Sequence, residues 1–176
     1  EAMDNPLGYL FRVAQSRSHR VNITSRRSST ASSRPGSLAV IYTRPVPRLL
    51  MLGQINHLHV AHMANELSQR GLEVTIAGMR RPGYGTQPTV LPDIDVVELP
   101  LASGSTPIGI ASQVRAIRRL LRERRPDVVQ AHWLCGYGAF AAIAGARPLV
   151  TVAWGSDVLR ASRVQRLANR IALRRS

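Results

Sequence analysis

The sequence predicts an α/β protein with a Rossmann-like parallel sheet and helices on both faces of that sheet. From Arg48 onward, short apolar runs alternate with longer amphipathic segments. Parallel strands need helical crossovers of about a dozen residues or more, and the intervening segments have that length. Hydrophobic residues make up 44% of the 176 positions, which is enough to bury a core. A parallel sheet covered on both faces is therefore the expected architecture.

The first half of the predicted domain contains three strands and one helix. Residues 48–53 form an apolar run closed by glycine, the pattern of a buried strand that enters a turn. Asn56 is the expected N-cap of the following helix, and Gly71 is its expected C-terminal stop. Residues 74–77 are rich in β-branched side chains, and residues 94–99 have a similar apolar composition. Both segments are therefore predicted strands.

The second half begins with a helix that has a clear start signal. Thr106 supplies a hydroxyl cap, and Pro107 occupies the first turn, where its missing N–H costs nothing. We expect this helix to end at Pro126, because proline cannot continue it. The remaining predicted elements are strands at 127–132 and 149–154, a small-residue helix at 136–145 and a last helix capped by Ser162.

Residues 1–47 differ in composition from the rest of the chain. From residue 16 to residue 37 the chain is mostly serine, arginine, threonine and other small or polar residues, with too little apolar surface to offset the entropy of ordering. We expect a disordered basic leader there and a folded domain at 48–176. The N-terminus lacks the basic-then-apolar order of a signal peptide, which predicts a cytoplasmic location.

The net charge of +14 comes from 24 basic residues, all of them arginine. Such a charge attracts anionic surfaces. A solvated helix face is the ordinary explanation of the arginines at 115–125, and docking on an anionic membrane surface is the alternative. The predicted membrane-facing residues are Arg115, Arg118, Arg119 and Arg122. Nucleic-acid binding is not predicted, because the folded part lacks a basic groove interleaved with aromatic residues.

Ligands of parallel sheets bind outside the carboxyl ends of the strands. In this sequence those ends are residues 53–57, 77–81, 132–137 and 154–157. Histidine, tryptophan and glycine are concentrated there. His132 is the strongest candidate, because an imidazole at the end of a buried strand can donate, accept or carry a proton near neutral pH. A satisfied core histidine is the alternative interpretation.

The residues present supply only part of a metal site and only part of a dinucleotide site. His57, His59 and His62 have the H-x-H-x-x-H spacing of a metal-dependent hydrolase, but Ala61 stands where that motif needs an acidic residue. We therefore expect no metal and keep the hydrolase as an alternative. Gly53 alone cannot provide the G-x-G-x-x-G turn of nicotinamide or flavin enzymes. A single cysteine excludes a disulfide framework.

Three motifs carry a resemblance to a known family. They are LGQINHLH at 52–59 followed by ANELSQRGLEV at 64–74, PDVVQAHWL at 126–134, and PLVTVAWGSDVL at 148–159. In this order they resemble the N-terminal domain of family 4 glycosyltransferases, which have the two-domain GT-B fold. Gln130 departs from the pattern, because the family has there the first histidine of its H-A-H motif.

The resemblance implies retaining transfer of a sugar from a nucleotide-diphosphate donor to a sugar or lipid-linked acceptor, without metal or other cofactor. It implies that His132 hydrogen-bonds the donor sugar or its phosphate. The residues expected to line the cleft are Gly53, Asn56, His57, His59, Trp133, Tyr137, Trp154, Gly155, Ser156 and Asp157. It also implies a donor-binding domain that this chain lacks. The expected partner is therefore that C-terminal domain or a split partner chain, and the chain is expected to be inactive alone. A non-enzymatic basic module that binds polyanions or membranes is the remaining alternative.

Overall fold

The computed structural model describes residues 46–81, 88–100 and 106–176, and within them a single sheet of five parallel strands. The strands are β1 Arg48–Leu52, β2 Glu73–Gly78, β3 Asp95–Glu98, β4 Val128–His132 and β5 Leu149–Val152. Their order across the sheet is β3-β2-β1-β4-β5. The predicted fold class is confirmed. The predicted disordered leader lies almost entirely outside the described residues, so its extent stays a prediction.

Helices cover both faces of the sheet. The described helices are α1 Leu58–Gln69, α2 Pro107–Arg124, α3 Ala139–Ala144, α4 Ser156–Leu159 and α5 Arg163–Leu173. Alternate side chains of β1 point to opposite faces. Leu49 and Met51 pack in the core under α1. Leu50 and Leu52 pack in the core under α2 and α3. Each face of the sheet is therefore packed against helices.

Two of the predicted helix caps are confirmed by hydrogen bonds. The Thr106 hydroxyl accepts from the Gly109 N–H at 3.2 Å at the start of α2. Ser162 and Gln165 form a reciprocal capping box at the start of α5. Gly71 follows the end of α1 with φ of 86°, the left-handed conformation expected of a helix stop. These signals are local, so the sequence alone was sufficient to predict them.

The cap predicted at Asn56 is wrong by one residue. His57 is the N-cap of α1, and its Nδ1 accepts from the His59 N–H at 3.3 Å. The Asn56 amide instead bonds the backbone of Arg81, donating to its carbonyl at 2.8 Å and accepting from its N–H at 3.1 Å. Asn56 is thereby committed to joining the loops that follow β1 and β2.

The helix predicted at 136–145 begins three residues earlier. A π-helical turn, Trp133–Gly138, follows β4 directly and continues into α3. Trp133 enters it with φ of 72°, a strained value for a residue with a side chain. Strand β5 ends two residues before the predicted boundary. Both differences lie at the carboxyl edge of the sheet.

Candidate functional site

A pocket of about 250 Å³ lies at the carboxyl edge of the sheet, where the ends of β1, β2, β4 and β5 meet. The predicted residues that line it are His57, His132, Trp133, Tyr137, Trp154 and Ser156. Gln54, Val60 and Arg81 also line it and were not among the predicted site residues. Gln54 and Arg81 belong to strand-end stretches that the sequence had marked, so the signal for them was present.

Trp154 is the centre of an aromatic group that closes one side of the pocket. Its ring centroid lies 4.8 Å from that of His57 in an edge-on arrangement. It also lies 5.1 Å from the ring of His59 and 5.8 Å from the ring of His132. Segments that are far apart in sequence therefore bring three imidazoles around one indole, and the pocket wall is largely flat and aromatic.

His132 is buried at the end of β4, with 2% of its surface exposed. Its Nε2 lies 3.2 Å from the side-chain nitrogen of Gln130. Within the described residues, its Nδ1 has no hydrogen-bond partner. Burial, with smaller contributions from His57 and His59, lowers the pKa of His132 to about 4. The imidazole is therefore neutral near pH 7.

The pKa of His57 is also lowered, although His57 is less buried than His132. Partial burial lowers its pKa, and the nearby His59 lowers that pKa further. The His57 and His59 rings are stacked with centroids 5.4 Å apart. Because a charge on His57 is disfavoured, its imidazole offers this wall of the pocket a neutral hydrogen-bonding group.

Tyr137 connects the pocket to the end of β2. Its hydroxyl accepts from the Met79 N–H at 2.9 Å, and its ring is buried under the sheet edge. Burial raises the pKa of the phenol, and the hydrogen bond from Met79 opposes that rise. Tyr137 therefore remains protonated and fixes the position of the π-helical turn relative to β2.

Asp157 does not line the pocket, and a role for it in ligand binding stays a prediction. It is 1% exposed, and both carboxyl oxygens accept backbone hydrogen bonds. One accepts from the Leu134 N–H at 2.7 Å, and the other accepts from the Trp154 N–H at 2.9 Å. The carboxylate therefore joins the chain after β4 to the chain after β5, and it positions Trp133 and Trp154 from beneath.

Four other predicted residues also lie outside the pocket lining. Gly53 is buried, and a Cβ there would meet Val60 at 3.0 Å, so its role is packing. Asn56 bonds Arg81, as described above. His59 is exposed, and its ring lies beside that of Trp154. Gly155 is an exposed turn residue with φ of 67° before α4. A role for these four residues in a ligand cleft stays a prediction.

A larger groove of about 700 Å³ adjoins the pocket and shares Gln54, Arg81, Trp133 and Tyr137 with it. Its other walls come from α2, α3 and α5. The apolar side chains along it are Met79, Ile110, Ala139, Phe140, Ile143, Val164, Leu167, Ala168 and Ile171. A pocket with mixed aromatic and polar walls and an apolar groove are therefore adjacent at one edge of the molecule.

The described residues contain no group of three histidine, cysteine or acidic side chains that could hold a metal ion. His57 and His59 face Trp154, whereas His62 is exposed further along α1. The geometry therefore does not favour the hydrolase alternative. Cys135 is partly buried, and burial raises the pKa of its thiol.

The arginines predicted to face a membrane are exposed on α2. Arg118 donates to the carbonyl of Ile143 at 3.1 Å, and Arg119 pairs with Glu123 at 2.6 Å. None of the helices in the described ranges is long and apolar enough to cross a membrane.

The sheet, its helices and the pocket at its carboxyl edge define the class of the chain, which is a Rossmann-like α/β domain. Within that class, the sequence profile described as Glycosyl transferase 4-like matches residues 48–176. The chain belongs to this family. The resemblance seen in the three motifs is confirmed.

Comparison with curated proteins gives no match, and solved structures give distant ones. WbmH of Bordetella bronchiseptica in complex with NAD+ has a TM-score of 0.40 and 18% identity, over 57% of this chain and 35% of its own. The C-terminal domain of the PF1911 hydrogenase of Pyrococcus furiosus has a TM-score of 0.42 and 14% identity, over 61% of this chain and 91% of its own. UGT73P12 of Glycyrrhiza uralensis complexed with glycyrrhetinic acid 3-O-monoglucuronide has a TM-score of 0.40 and 20% identity, over 60% of this chain and 28% of its own.

The chain thus spans about a third of the WbmH chain and less than a third of the UGT73P12 chain. Similarities this distant carry no functional argument.

Proposed function

We propose that this chain is the acceptor-side domain of a glycosyltransferase. In the complete enzyme, a sugar would pass with retention from a nucleotide-diphosphate donor to an acceptor held by this domain. The observation that carries the proposal is the pocket of a Glycosyl transferase 4-like domain in which His132 and two tryptophans line one cavity. The proposal needs no metal and no cofactor.

The pocket has the groups that such a reaction uses. Flat aromatic surfaces with a few polar groups are typical of small-ligand sites, and Trp133 and Trp154 provide them here. The neutral His132 would hydrogen-bond the donor sugar or its phosphate as charge builds on the leaving diphosphate. Arg81 adds a cation at the rim, which suits an anionic donor.

The donor would be bound largely by a second domain or a partner chain that faces this edge of the sheet. The family resemblance supports this part of the proposal, because GT-B enzymes react in a cleft between two domains. On this proposal the described domain binds ligand alone but does not turn it over.

A lipid-linked acceptor is supported by the apolar groove beside the pocket. A sugar or phosphate head could occupy the pocket while the apolar part lies between α2, α3 and α5. Arg115, Arg118, Arg119 and Arg122 on α2 would then contact anionic lipids at the inner face of the membrane.

Tryptophan fluorescence tests ligand binding without a second domain. The chain has two tryptophans, and both line the pocket, so the whole indole signal comes from the site. We expect UDP-glucose, GDP-mannose or decyl glucoside to change the emission in a saturable way. The Trp154→Phe variant should lose part of the response. A response to Zn²⁺ and to none of the three compounds would contradict the proposal and favour the hydrolase.

A further inference from the structure

Gln130 is a buried polar residue for which the proposed function has so far no use. It lies on β4 two positions before His132, so both side chains point to the face of the sheet that α1 covers. Gln130 is 1% exposed. Its side-chain nitrogen lies 2.7 Å from the sulfur of Met63 on α1 and 3.2 Å from Nε2 of His132.

The sulfur of Met63 determines which way the Gln130 amide is oriented. A thioether has no proton and can only accept a hydrogen bond, so the amide nitrogen, not the oxygen, must face it. The reversed amide would place oxygen against sulfur at the same short distance. The Gln130 oxygen has no partner within the described residues, whereas the nitrogen has two neighbours.

The orientation of the amide in turn determines where His132 carries its proton. The Gln130 nitrogen is a donor, so the His132 Nε2 that faces it must be an acceptor. A neutral imidazole has one N–H, and it must therefore be at Nδ1. The titratable groups around the ring are His57 and His59 from the start of α1, Arg81 in the same pocket, and Asp157, whose oxygens are bonded to backbone N–H groups.

We infer that Gln130, held by Met63, is a positioning residue that keeps His132 in the neutral tautomer protonated on Nδ1, so that the Gln130 amide occupies Nε2 and His132 does not act as a base. The Nδ1 atom is buried and meets no acceptor within the described residues. A phosphate or sugar oxygen in the pocket would reach Nδ1 only after the side chains around the ring move, and this last step rests on the proposed function.

The residue type at position 130 matters for the same reason. The family motif has a histidine there, which could donate or accept and could itself take up a proton. An amide does not titrate, so the preference imposed on His132 stays the same until His132 itself is protonated, near pH 4. Glutamine at this position therefore fixes one proton arrangement across the neutral range.

Nitrogen NMR of the full chain labelled with ¹⁵N-histidine tests the inference directly. The protonated and unprotonated nitrogens of a neutral imidazole have well-separated shifts, and the His132→Gln variant identifies the His132 signals among the five histidines. At pH 7 we expect the protonated nitrogen of His132 to be Nδ1. A proton on Nε2 in the free chain would overturn the inference.

Two variants separate the tautomer effect from general damage. Gln130→Glu replaces the donor with an acceptor, so the proton should move to Nε2 and the pKa of His132 should rise. Met63→Leu conserves volume but releases the amide, so His132 should become a mixture of tautomers. Gln113→Glu is the matched control, because Gln113 is also a buried glutamine but bonds Pro100 on the opposite face of the sheet. It should leave His132 unchanged.

The outcomes for the inference and for the proposed function are distinguishable. An Nδ1–H in the free chain that is lost in Gln130→Glu and mixed in Met63→Leu upholds the inference, whether or not UDP-glucose or GDP-mannose binds. Absence of binding would count against glycosyl transfer alone. A His132 tautomer unchanged in folded Met63→Leu would overturn the role of Gln130.

Discussion

At the residue scale, the geometry of the pocket depends on a carboxylate beneath its lining. Asp157 accepts one backbone hydrogen bond from each of the two segments that carry the tryptophans. Its own carbonyl accepts from the buried amide of Asn169 at 2.6 Å, which also connects it to α5. Because these groups are buried, water cannot replace a lost partner, and the cost of removing one is high.

Asp157→Asn should therefore destabilise the fold although it preserves the shape of the side chain. One of the two backbone N–H groups would face the new amide NH₂ instead of an acceptor. We expect the free energy of unfolding in urea to fall by about 1–3 kcal/mol. The control is Glu66→Gln, which breaks only the exposed pair between Glu66 and Arg70 and should cost about 0.5 kcal/mol or less. Equal losses in the two variants would show that Asp157 is not a structural link.

His132 should make the stability of the domain depend on pH in a defined window. Its pKa falls from 6.5 to about 4 on folding, so the unfolded chain binds a proton between these values and the folded chain does not. Stability is therefore lost as pH falls through 6.5 toward 4. Between pH 7 and pH 5 we expect a loss of about 2 kcal/mol from this residue, because one pKa unit corresponds to about 1.36 kcal/mol.

The comparison of wild type with His132→Gln isolates this contribution from that of the carboxylates. Urea unfolding at both pH values should give a steeper pH dependence for the wild type. Parallel pH profiles would mean that His132 titrates normally in the folded state.

The sequence predicted most of the pocket at this scale, for a simple reason. Strand ends of a parallel sheet share one edge, so His57, His132 and Trp154 were expected together and are found together. The roles of Asp157 and Asn56 could not be predicted in the same way. Whether a polar side chain faces a ligand or satisfies a backbone group depends on where distant segments pack, and spacing along the chain does not contain that information.

At the scale of elements, the π-helical turn determines how the tryptophan wall is presented. It begins at Trp133 in a left-handed conformation and passes Gly136, where an added Cβ would lie 3.0 Å from the Trp133 ring. The glycine therefore leaves room for the indole. The caps of α2 and α5 were predictable because they are formed by neighbouring residues. The start of this turn was not, because the distant Asp157 helps to fix it through the Leu134 N–H.

Gly136→Ala should displace the Trp133 indole and change its fluorescence. Gly145→Ala is the control, because Gly145 has φ of 87° but nothing within 4 Å of an added Cβ. That variant should be destabilised by backbone strain of about 1 kcal/mol without any change in emission. If both variants keep the wild-type emission, the contact at Gly136 does not position Trp133.

At the scale of the whole molecule, the strand order and the placement of charge go beyond what the sequence predicted. A parallel sheet with two covered faces followed from periodicity, but the order β3-β2-β1-β4-β5 depends on long-range pairing that no local pattern records. That order puts α1 on one face of the sheet and α2 on the other. The basic face of α2 and the last turn of α1 therefore lie on opposite sides of the sheet. An arginine at each of these two places can be reversed in charge to give variants with the same net charge.

Charge reversal on the two faces distinguishes a specific docking face from general attraction by net charge. Arg122 on α2 and Arg70 at the end of α1 are both exposed, and reversing either to glutamate lowers the net charge equally. In sedimentation with vesicles of phosphatidylserine and phosphatidylcholine, Arg122→Glu should weaken binding about fivefold or more, since each basic residue near an anionic surface is worth about 1 kcal/mol. Arg70→Glu should bind as the wild type does, and the difference should shrink as added salt screens the charges. Equal weakening by both variants would mean that the net charge of +14, and not the α2 face, attracts the membrane.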